Sequence, residues 1–332
     1  MKPITIIGGG LAGLTLGIGL RREGVPVTIW EAGEYPRHRV CGEFISGRGL
    51  ETLQRLGLLA ELEKEGARTA STTAFFGQAK KVFDRTLPDK AVCISRFRLD
   101  AFLAEKFCAE GGDLRPNSRW KGDACGQGLV QASGRRIQAQ AAGFKWYGLK
   151  AHARDVELEA DLEMRFDTDS YVGLCRLADG QVNVCGLFRR KPGDGVVPSI
   201  ERLKESVAQA NAEWDEASFC AVAGLPPYPR LASNGCAVGD ALSMPAPVTG
   251  NGMSMAFESA EMAVKPLAAY ATGLLGWAEA LEGLQRDSRK RFETRLKWSS
   301  LLHRVLFSGK TRPLLLRAIG TSCWGLLFRA TR

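Results

Sequence analysis

The stretch Gly8-Gly9-Gly10-Leu11-Ala12-Gly13 constrains the fold of this chain more than any other part of it. It follows a short apolar run, Pro3-Ile4-Thr5-Ile6-Ile7, and precedes Leu14, Leu16, Ile18 and Leu20 in a segment that ends at Gly24. Val25 to Trp30 is then apolar again. This order predicts strand, tight turn, helix and strand. Gly8, Gly10 and Gly13 fit the spacing G-x-G-x-x-G. The first glycine allows the turn, the second lets a diphosphate approach the backbone, and the third lets helix and strand pack closely. A diphosphate so placed sits on the helix N-terminus, where free N–H groups and the helix dipole favour an anion, with Leu11 and Ala12 as the first helical contacts. Glu31 follows 18 residues after Gly13, at the end of the second strand, and is predicted to accept hydrogen bonds from the adenosine ribose hydroxyls. The spacing predicts an ADP-binding unit and leaves NAD and FAD open.

Further along, residues 47 to 64 and 98 to 110 read as helices. Between Val156 and Phe166 every even position is apolar and every odd one is charged, a period of two that predicts a strand with one wet face. With residues 146 to 153, 171 to 177 and 181 to 188 it implies an antiparallel sheet of about four strands, whose inward face offers Val156, Leu158, Leu162, Met164 and Phe166. Residues 235 to 240 read as a strand, 251 to 268 as a helix and 276 to 308 as a long amphipathic helical region. The expected organisation is a discontinuous nucleotide-binding domain over 1–143 and 232–275, an antiparallel-sheet substrate domain over 144–231, and basic amphipathic helices over 276–332.

Charge and cysteine content narrow the function classes. The net charge of +9 suggests nucleic acid until it is located: Arg286 to Arg332 holds twelve Lys/Arg against Asp287 and Glu293, a balance of +10, so the remainder sums to about −1. No nucleic-acid module accompanies the basic tail, and nucleic acid is not an expected partner. Nine cysteines with no C-x-x-C pair suggest neither a disulfide framework nor a zinc site, and read as reduced and mostly buried, which favours the cytoplasm. The folded motif begins at residue 3, so no signal peptide is expected, and no apolar stretch is long enough to span a bilayer.

Gly235 to Ala256, which contains Gly239-Asp240 and Thr249-Gly250-Asn251-Gly252-Met253, closely resembles the "GD" segment of two-domain flavoproteins that include the aromatic hydroxylases and geranylgeranyl reductases. The resemblance selects FAD over NAD. It implies the α/β fold of that superfamily, the glutathione reductase type 2 flavoprotein fold, with a Rossmann-like FAD/NAD(P)-binding domain and an antiparallel-sheet substrate domain. By the same likeness Asp240 binds a ribityl hydroxyl, and Gly250-Asn251-Gly252 presents a helix N-terminus to the flavin pyrimidine edge, where the dipole stabilises negative charge on a reduced ring. Cys41-Gly42-Glu43 resembles the C-G-E or C-G-G segment that lies beside the ring in the reductase branch. Arg96-Phe97-Arg98-Leu99-Asp100 resembles an R-x-x-[FL]-D segment whose arginine contacts the FAD diphosphate region. Arg39 and Met253 complete the expected cofactor contacts.

Departures from the pattern bear on the reaction. An Asp-Gly element that serves FAD and NADPH in the hydroxylases corresponds here to Ala132-Ser133-Gly134-Arg135-Arg136, with serine in place of aspartate. The Y-x-W-x-F-P motif of the geranylgeranyl reductases is reduced to Tyr171, and the paired tryptophans and lysine of flavin-dependent halogenases are not evident. His38, His152 and His303 stand in no ligand or triad spacing and read as packed or solvated residues. His152, on a strand of the substrate sheet, and Cys41, read mainly as a small packing residue, are the protein groups carried forward as catalytic candidates; no metal is expected. The expected function is an FAD-dependent, monooxygenase-like oxidoreductase acting on a small apolar or aromatic molecule. Its expected electron donor is NAD(P)H or a separate flavin reductase, and its basic tail is a candidate for peripheral membrane contact. A flavin-dependent reductase of unsaturated, isoprenoid-like substrates and an FAD-binding protein without turnover are the alternatives.

Overall fold

A computed structural model describes residues 1–332 except 124, 136–143, 192, 194–197, 226–230, 233–234, 319, 321–323, 326–327 and 329–332. Arg136 and Cys323 therefore lie outside the described residues.

The N-terminal strand–turn–helix–strand unit forms as expected: β1 (Ile4–Ile7), α1 (Leu11–Arg22) and β2 (Val27–Trp30). Every residue of α1 from Leu11 to Leu20 is buried, because the helix is packed between the sheet and a later helix. β3 (Phe44–Ser46) leads into α2 (Arg48–Arg55) and α3 (Leu59–Lys64). These two helices replace the single one read over 47 to 64; Gly57, at φ 61°, turns the chain between them. Next come the hairpin β4 (Arg68–Gly77) and β5 (Lys80–Cys93), α4 (Arg96–Ala109), and the short strands β6 (Asp113–Arg115) and β7 (Leu129–Gln131). The chain continues with β8 (Lys145–Arg154), β9 (Leu162–Phe166), β10 (Ser170–Arg176), β11 (Val182–Arg190), α5 (Ile200–Val207) and β12 (Glu213–Ala223). It ends with β13 (Cys236–Ala237), α6 (Gly252–Thr272), α7 (Trp277–Leu306) and α8 (Arg312–Ala318).

Among the described residues the strands form two sheets. One is parallel, in the order β13-β7-β1-β2-β6, and α1, α4 and α6 share its core. The other has the order β12-β8-β11-β10-β9-β4-β5-β3 and is antiparallel apart from the parallel β4–β9 pair. The expected sheet of about four strands is therefore too small. β3, β4 and β5, which lie within 1–143, pair into this second sheet, and a parallel β4–β9 pair joins segments far apart in sequence.

The alternating run at 156–166 is a strand over Leu162–Phe166 alone. Val156 and Leu158 precede it and pack with Ile200, Leu203 and Val207 at α5. Glu163, on the face expected to be wet, is buried, and its carboxylate accepts from Arg165 at 2.8 Å and from the backbone N of Glu159 at 2.6 Å. β9 pairs with β10 along one edge and with β4 along the other, and the side chain of Glu163 is covered as well.

The tail is anchored to the second sheet. Leu306, Phe307 and Leu316 are buried with Trp146, Phe166, Tyr171 and Leu187. Near the end of α7, Leu302 and Leu306 are buried, whereas Trp298 and Leu301 are 42% and 46% exposed. No helix among the described residues is long and apolar enough to cross a membrane.

Candidate functional site

One cavity of about 1320 Å3 runs from the edge of the parallel sheet to a space beneath the second sheet. Single-ligand pockets measure about 300–1,000 Å3, so this one has room for an extended cofactor and a further molecule. At its first end the glycine turn is as tight as its spacing implies. An added Cβ would lie 2.4 Å from the Ala132 carbonyl oxygen at Gly8, and 2.0 Å from the Gly8 oxygen at Gly13. At Gly10, the N-cap of α1, an added Cβ would meet nothing within 4 Å. That open space in front of a helix N-terminus is the room a diphosphate needs.

Glu31 lies on the wall of this end and is buried, and its carboxylate already accepts three hydrogen bonds of 2.8 Å, from Gly9 N, Gly33 N and Arg37 Nη1. Burial would raise its pKa, but the bonds from Arg37, Gly33 and Gly9 outweigh burial and hold it below the ordinary carboxylate range. Glu31 is thus an ionised acceptor that also braces the turn, a second role its position in the sequence does not reveal.

Gly239 and Asp240 follow β13 in a 3-10 turn, which replaces the end of the strand expected over 235–240. Asp240 lines the cavity, makes no hydrogen bond to a described residue, and has its pKa pushed up to about 6 by burial, against the pull of Arg96 and Arg135. A carboxylate so desolvated and unpartnered suits a hydroxyl donor. Beyond it, Gly250 takes φ 58° and approaches Phe44 so closely that an added Cβ would lie 2.5 Å from the ring. Asn251 is the buried N-cap of α6, and at Gly252, as at Gly10, an added Cβ would meet nothing within 4 Å. Leu11, Ala12 and Met253 also line the cavity, and Arg39 reaches it as an exposed side chain. Two helix N-termini thus face one cavity, with an acceptor carboxylate between them.

Arg96 lines the cavity too, but its guanidinium is held by Asp100 at 2.7 and 2.8 Å rather than left free. That pairing, one helical turn apart, fixes the direction of a cation that the sequence reading left to the cofactor alone. Cys41 is on the wall, and burial raises its thiol pKa, so it is a poor thiolate nucleophile and fits the packing role. Cys108 and Cys125 are exposed, contrary to the expectation of mostly buried thiols, and the described cysteines are free. Ser133 and Gly134 line the cavity after β7, next to the Gly8 turn.

His303 is packed against Trp146 and Phe307, as its reading implies, whereas His38 and His152 belong to a polar cluster. His152 Nε2 lies 2.7 Å from Glu43 Oε2, Lys150 Nζ lies 3.4 Å from Glu43 Oε1, and Lys150 Nζ lies 3.0 Å from His38 Nδ1. Glu43 and Lys150 are fully buried. Glu43 is in the left-handed region at φ 55°, a conformation that costs a non-glycine residue ~1–3 kcal/mol and persists only where its surroundings fix it. The sequence pattern gives His38 no role beyond a packed or solvated residue and does not single out Lys150. The available signal was Lys150 and His152 two apart on a strand whose other face is Tyr147, Leu149, Ala151 and Ala153. Among the described residues no cluster of His, Cys, Asp or Glu is arranged to hold a metal.

The far end of the cavity is apolar. Leu162, Met164 and Phe166 line it, but Val156 and Leu158, expected on the same face, do not. Leu302, Leu306, Trp324 and Phe328 close it from the tail, and Tyr171 supplies a hydroxyl.

Residues 1–141 match the family model described as an FAD binding domain. The chain is 29% identical over 174 residues, 49% of its length and 46% of the relative's, to the putative FAD-dependent monooxygenase YetM of Bacillus subtilis (strain 168). It is 27% identical over 127 residues, 35% of its length, to conditioned medium factor receptor 1 of Dictyostelium discoideum, of which the match covers 25%. The chain thus spans less than half the length of these curated relatives. Solved structures resemble it over nearly its whole length. The p-nitrophenol 4-monooxygenase PnpA from Pseudomonas putida DLL-E4 superposes with a TM-score of 0.76 at 15% identity, covering 100% of this chain and 98% of that one. PqsL from P. aeruginosa, in complex with 2-aminobenzoylacetate, gives 0.75 at 16% identity, covering 94% and 98%. The myxobacterial chondrochloren halogenase CndH gives 0.70 at 19% identity, covering 88% and 80%. The resemblance drawn from the glycine turn and the Gly239-Asp240 segment therefore holds for the FAD-binding domain and for the fold.

Proposed function

We propose that the protein is an FAD-dependent oxidoreductase of the monooxygenase type that acts on an apolar, aromatic-sized organic molecule. The observation that carries this reading is the continuity of one cavity from the Gly10 helix terminus, past Asp240 and the Gly252 terminus, into the apolar space under the second sheet. Bound FAD supplies the electron chemistry, including activation of dioxygen when reduced. The protein's own residues supply the rest. The N–H groups at the start of α1 would seat the diphosphate, Asp240 would hold the ribityl chain, and the start of α6 would favour negative charge at the end of the ring. Leu162, Met164, Phe166, Leu302 and Leu306 exclude water from the far end, and the Tyr171 hydroxyl offers a polar handle there.

The partners belong to the same proposal. With Ser133 beside the glycine turn in place of the aspartate of the hydroxylases, NAD(P)H would reduce the flavin slowly, and a separate flavin reductase would serve as donor. The test is to load the protein with FAD, reduce it chemically or with NADPH in a stopped-flow instrument, and admit air with a panel of phenols, anilines and isoprenoids. Oxygen uptake with a product 16 mass units heavier is the expected result. A product heavier by two hydrogens under anaerobic conditions would replace oxygenation with reduction, and no turnover with any donor would leave a binding protein. Fast reduction by NADPH alone would overturn the reading of Ser133.

A further inference from the structure

Beyond Asp240 the cavity wall is formed by the turn Cys41–Phe44 and the start of α6, which touch where Phe44 meets Gly250. An FAD whose ADP end lies at Gly10 and whose chain passes Asp240 must place its ring in this part. The turn is tied at every residue. The Asn183 amide donates to the Cys41 carbonyl at 3.1 Å, the Cys175 thiol donates to the Gly42 carbonyl at 3.3 Å, and Ile94 N donates to the Glu43 carbonyl at 3.1 Å. The buried Glu43 carboxylate takes Arg96 N at 2.9 Å as well as Lys150 and His152. Three parts of the chain meet on it: the 38–43 loop, β8 and the start of α4. His38 completes the group, stacked on Phe97 with ring centroids 4.6 Å apart. Burial and the neighbouring Lys150 press its pKa down to about 4, so it accepts a hydrogen bond from the ammonium.

We infer that Lys150 and His152 are positioning residues which, through the Glu43 carboxylate, fix the Cys41–Glu43 turn against the flavin end of the cavity and hold a balanced pair of charges beside it. As a junction between elements, an apolar set of similar volume would serve as well or better than a buried ion pair. The charge therefore points to the cofactor. An unbalanced positive charge beside the ring stabilises the reduced, more negative flavin, and an unbalanced negative charge opposes it. The inference rests on FAD binding in this cavity and is independent of whether the enzyme oxygenates its substrate.

The experiment measures FAD affinity and the midpoint potential of bound FAD in the full chain for Glu43→Gln, Lys150→Met, His152→Gln and the Glu43→Gln/Lys150→Met double variant. Glu43→Gln should shift the potential to more positive values, Lys150→Met should shift it to more negative values, and the double variant should return most of the way. His152→Gln, which keeps a donor toward Glu43, should bind FAD within a few-fold of the parent. Should the single variants fail to hold FAD, recovery of FAD by the double variant is the supporting outcome. Single variants that bind FAD at the parent potential, shifts of the opposite sign, or a double variant that stays without FAD when the singles have lost it would each overturn the inference.

Discussion

Asp240 offers the sharpest test of the cofactor site, because its environment converts FAD binding into a dependence on pH. Its pKa is pushed up to about 6, first by burial, against the pull of Arg96 and Arg135. A ribityl hydroxyl donating to the carboxylate favours the ionised form and draws that pKa back toward the ordinary value of 3.8. FAD then binds the ionised protein better, so affinity rises as pH rises toward 6 and levels off above it. If the whole displacement of ~2 units is recovered, the linkage amounts to about 3 kcal/mol at its limit. At pH 5 a carboxyl titrating near 6 is roughly nine-tenths protonated, and FAD should bind about tenfold more weakly than at pH 7. Glu31 does not confuse the result, since its pKa is held below the ordinary carboxylate value and it stays ionised through this window. Asp240→Asn removes the titration and weakens a hydrogen bond to a charged group, which is worth ~1.5–3 kcal/mol, so FAD should bind roughly 10- to 150-fold more weakly at pH 7. Asp240→Ala should fall in the same range. The assay is fluorescence titration of the apoprotein with FAD at pH 5, 6, 7 and 8. A pH slope that survives in the Asn variant, or an unchanged affinity at pH 7, would refute the reasoning.

Gly10→Val should leave the melting temperature near that of the parent, because a Cβ added there points into open space, yet abolish FAD binding by filling the diphosphate's space; full FAD occupancy in that variant would remove the assignment. Arg295 and Glu258, buried and paired at 2.6 and 3.1 Å, tie α7 to α6, so Arg295→Met should cost ~3–5 kcal/mol in a urea unfolding experiment. His303 is buried against Trp146 and Phe307, and burial presses its pKa down to about 4 from 6.5. The neutral form is the folded one, so stability is full above pH 6.5 and falls by about 3 kcal/mol as pH drops to 4, and His303→Leu should flatten this part of the profile. The basic tail leaves Trp298, Leu301 and Leu314 exposed, so cosedimentation with anionic vesicles at low salt and release at high salt are expected if it lies on a membrane, each nearby Lys or Arg contributing ~1 kcal/mol; protein left in the supernatant at low salt assigns the tail to packing alone.

The parts of this molecule that sequence reveals are those governed by short spacings. Gly8, Gly10 and Gly13 act within one turn, and the clashes an added Cβ would make at Gly8 and Gly13 come from backbone atoms that any chain folding this way must bring there. Asp240 and Gly252 come instead from the resemblance to the flavoprotein GD segment, and both line the cavity. The second sheet was undercounted because its membership depends on partners far apart in sequence. The parallel pairing of β4 with β9 joins residues about ninety positions distant, and nothing local to Arg68–Gly77 announces it.

Burial by neighbours explains the remaining misreadings. The alternation at 156–166 predicts a strand with a wet face, as antiparallel sheets commonly have, but the polar face of β9 is covered at Glu163, which is met by Arg165 and a backbone N–H. The same step hides the Glu43 cluster. On β8 a Lys and a His alternate with Tyr147, Leu149 and Ala151, and a period of two cannot say whether the polar side faces water or a counter-ion. What decides it is the 38–43 loop crossing that face and bringing Glu43, a contact across more than a hundred residues. Polar residues on the second face of a strand in a two-domain flavoprotein are therefore better read as open until the loop that covers them is known. Here that covered face places Lys150 and His152 behind Glu43, which together with His38 lines the cavity wall.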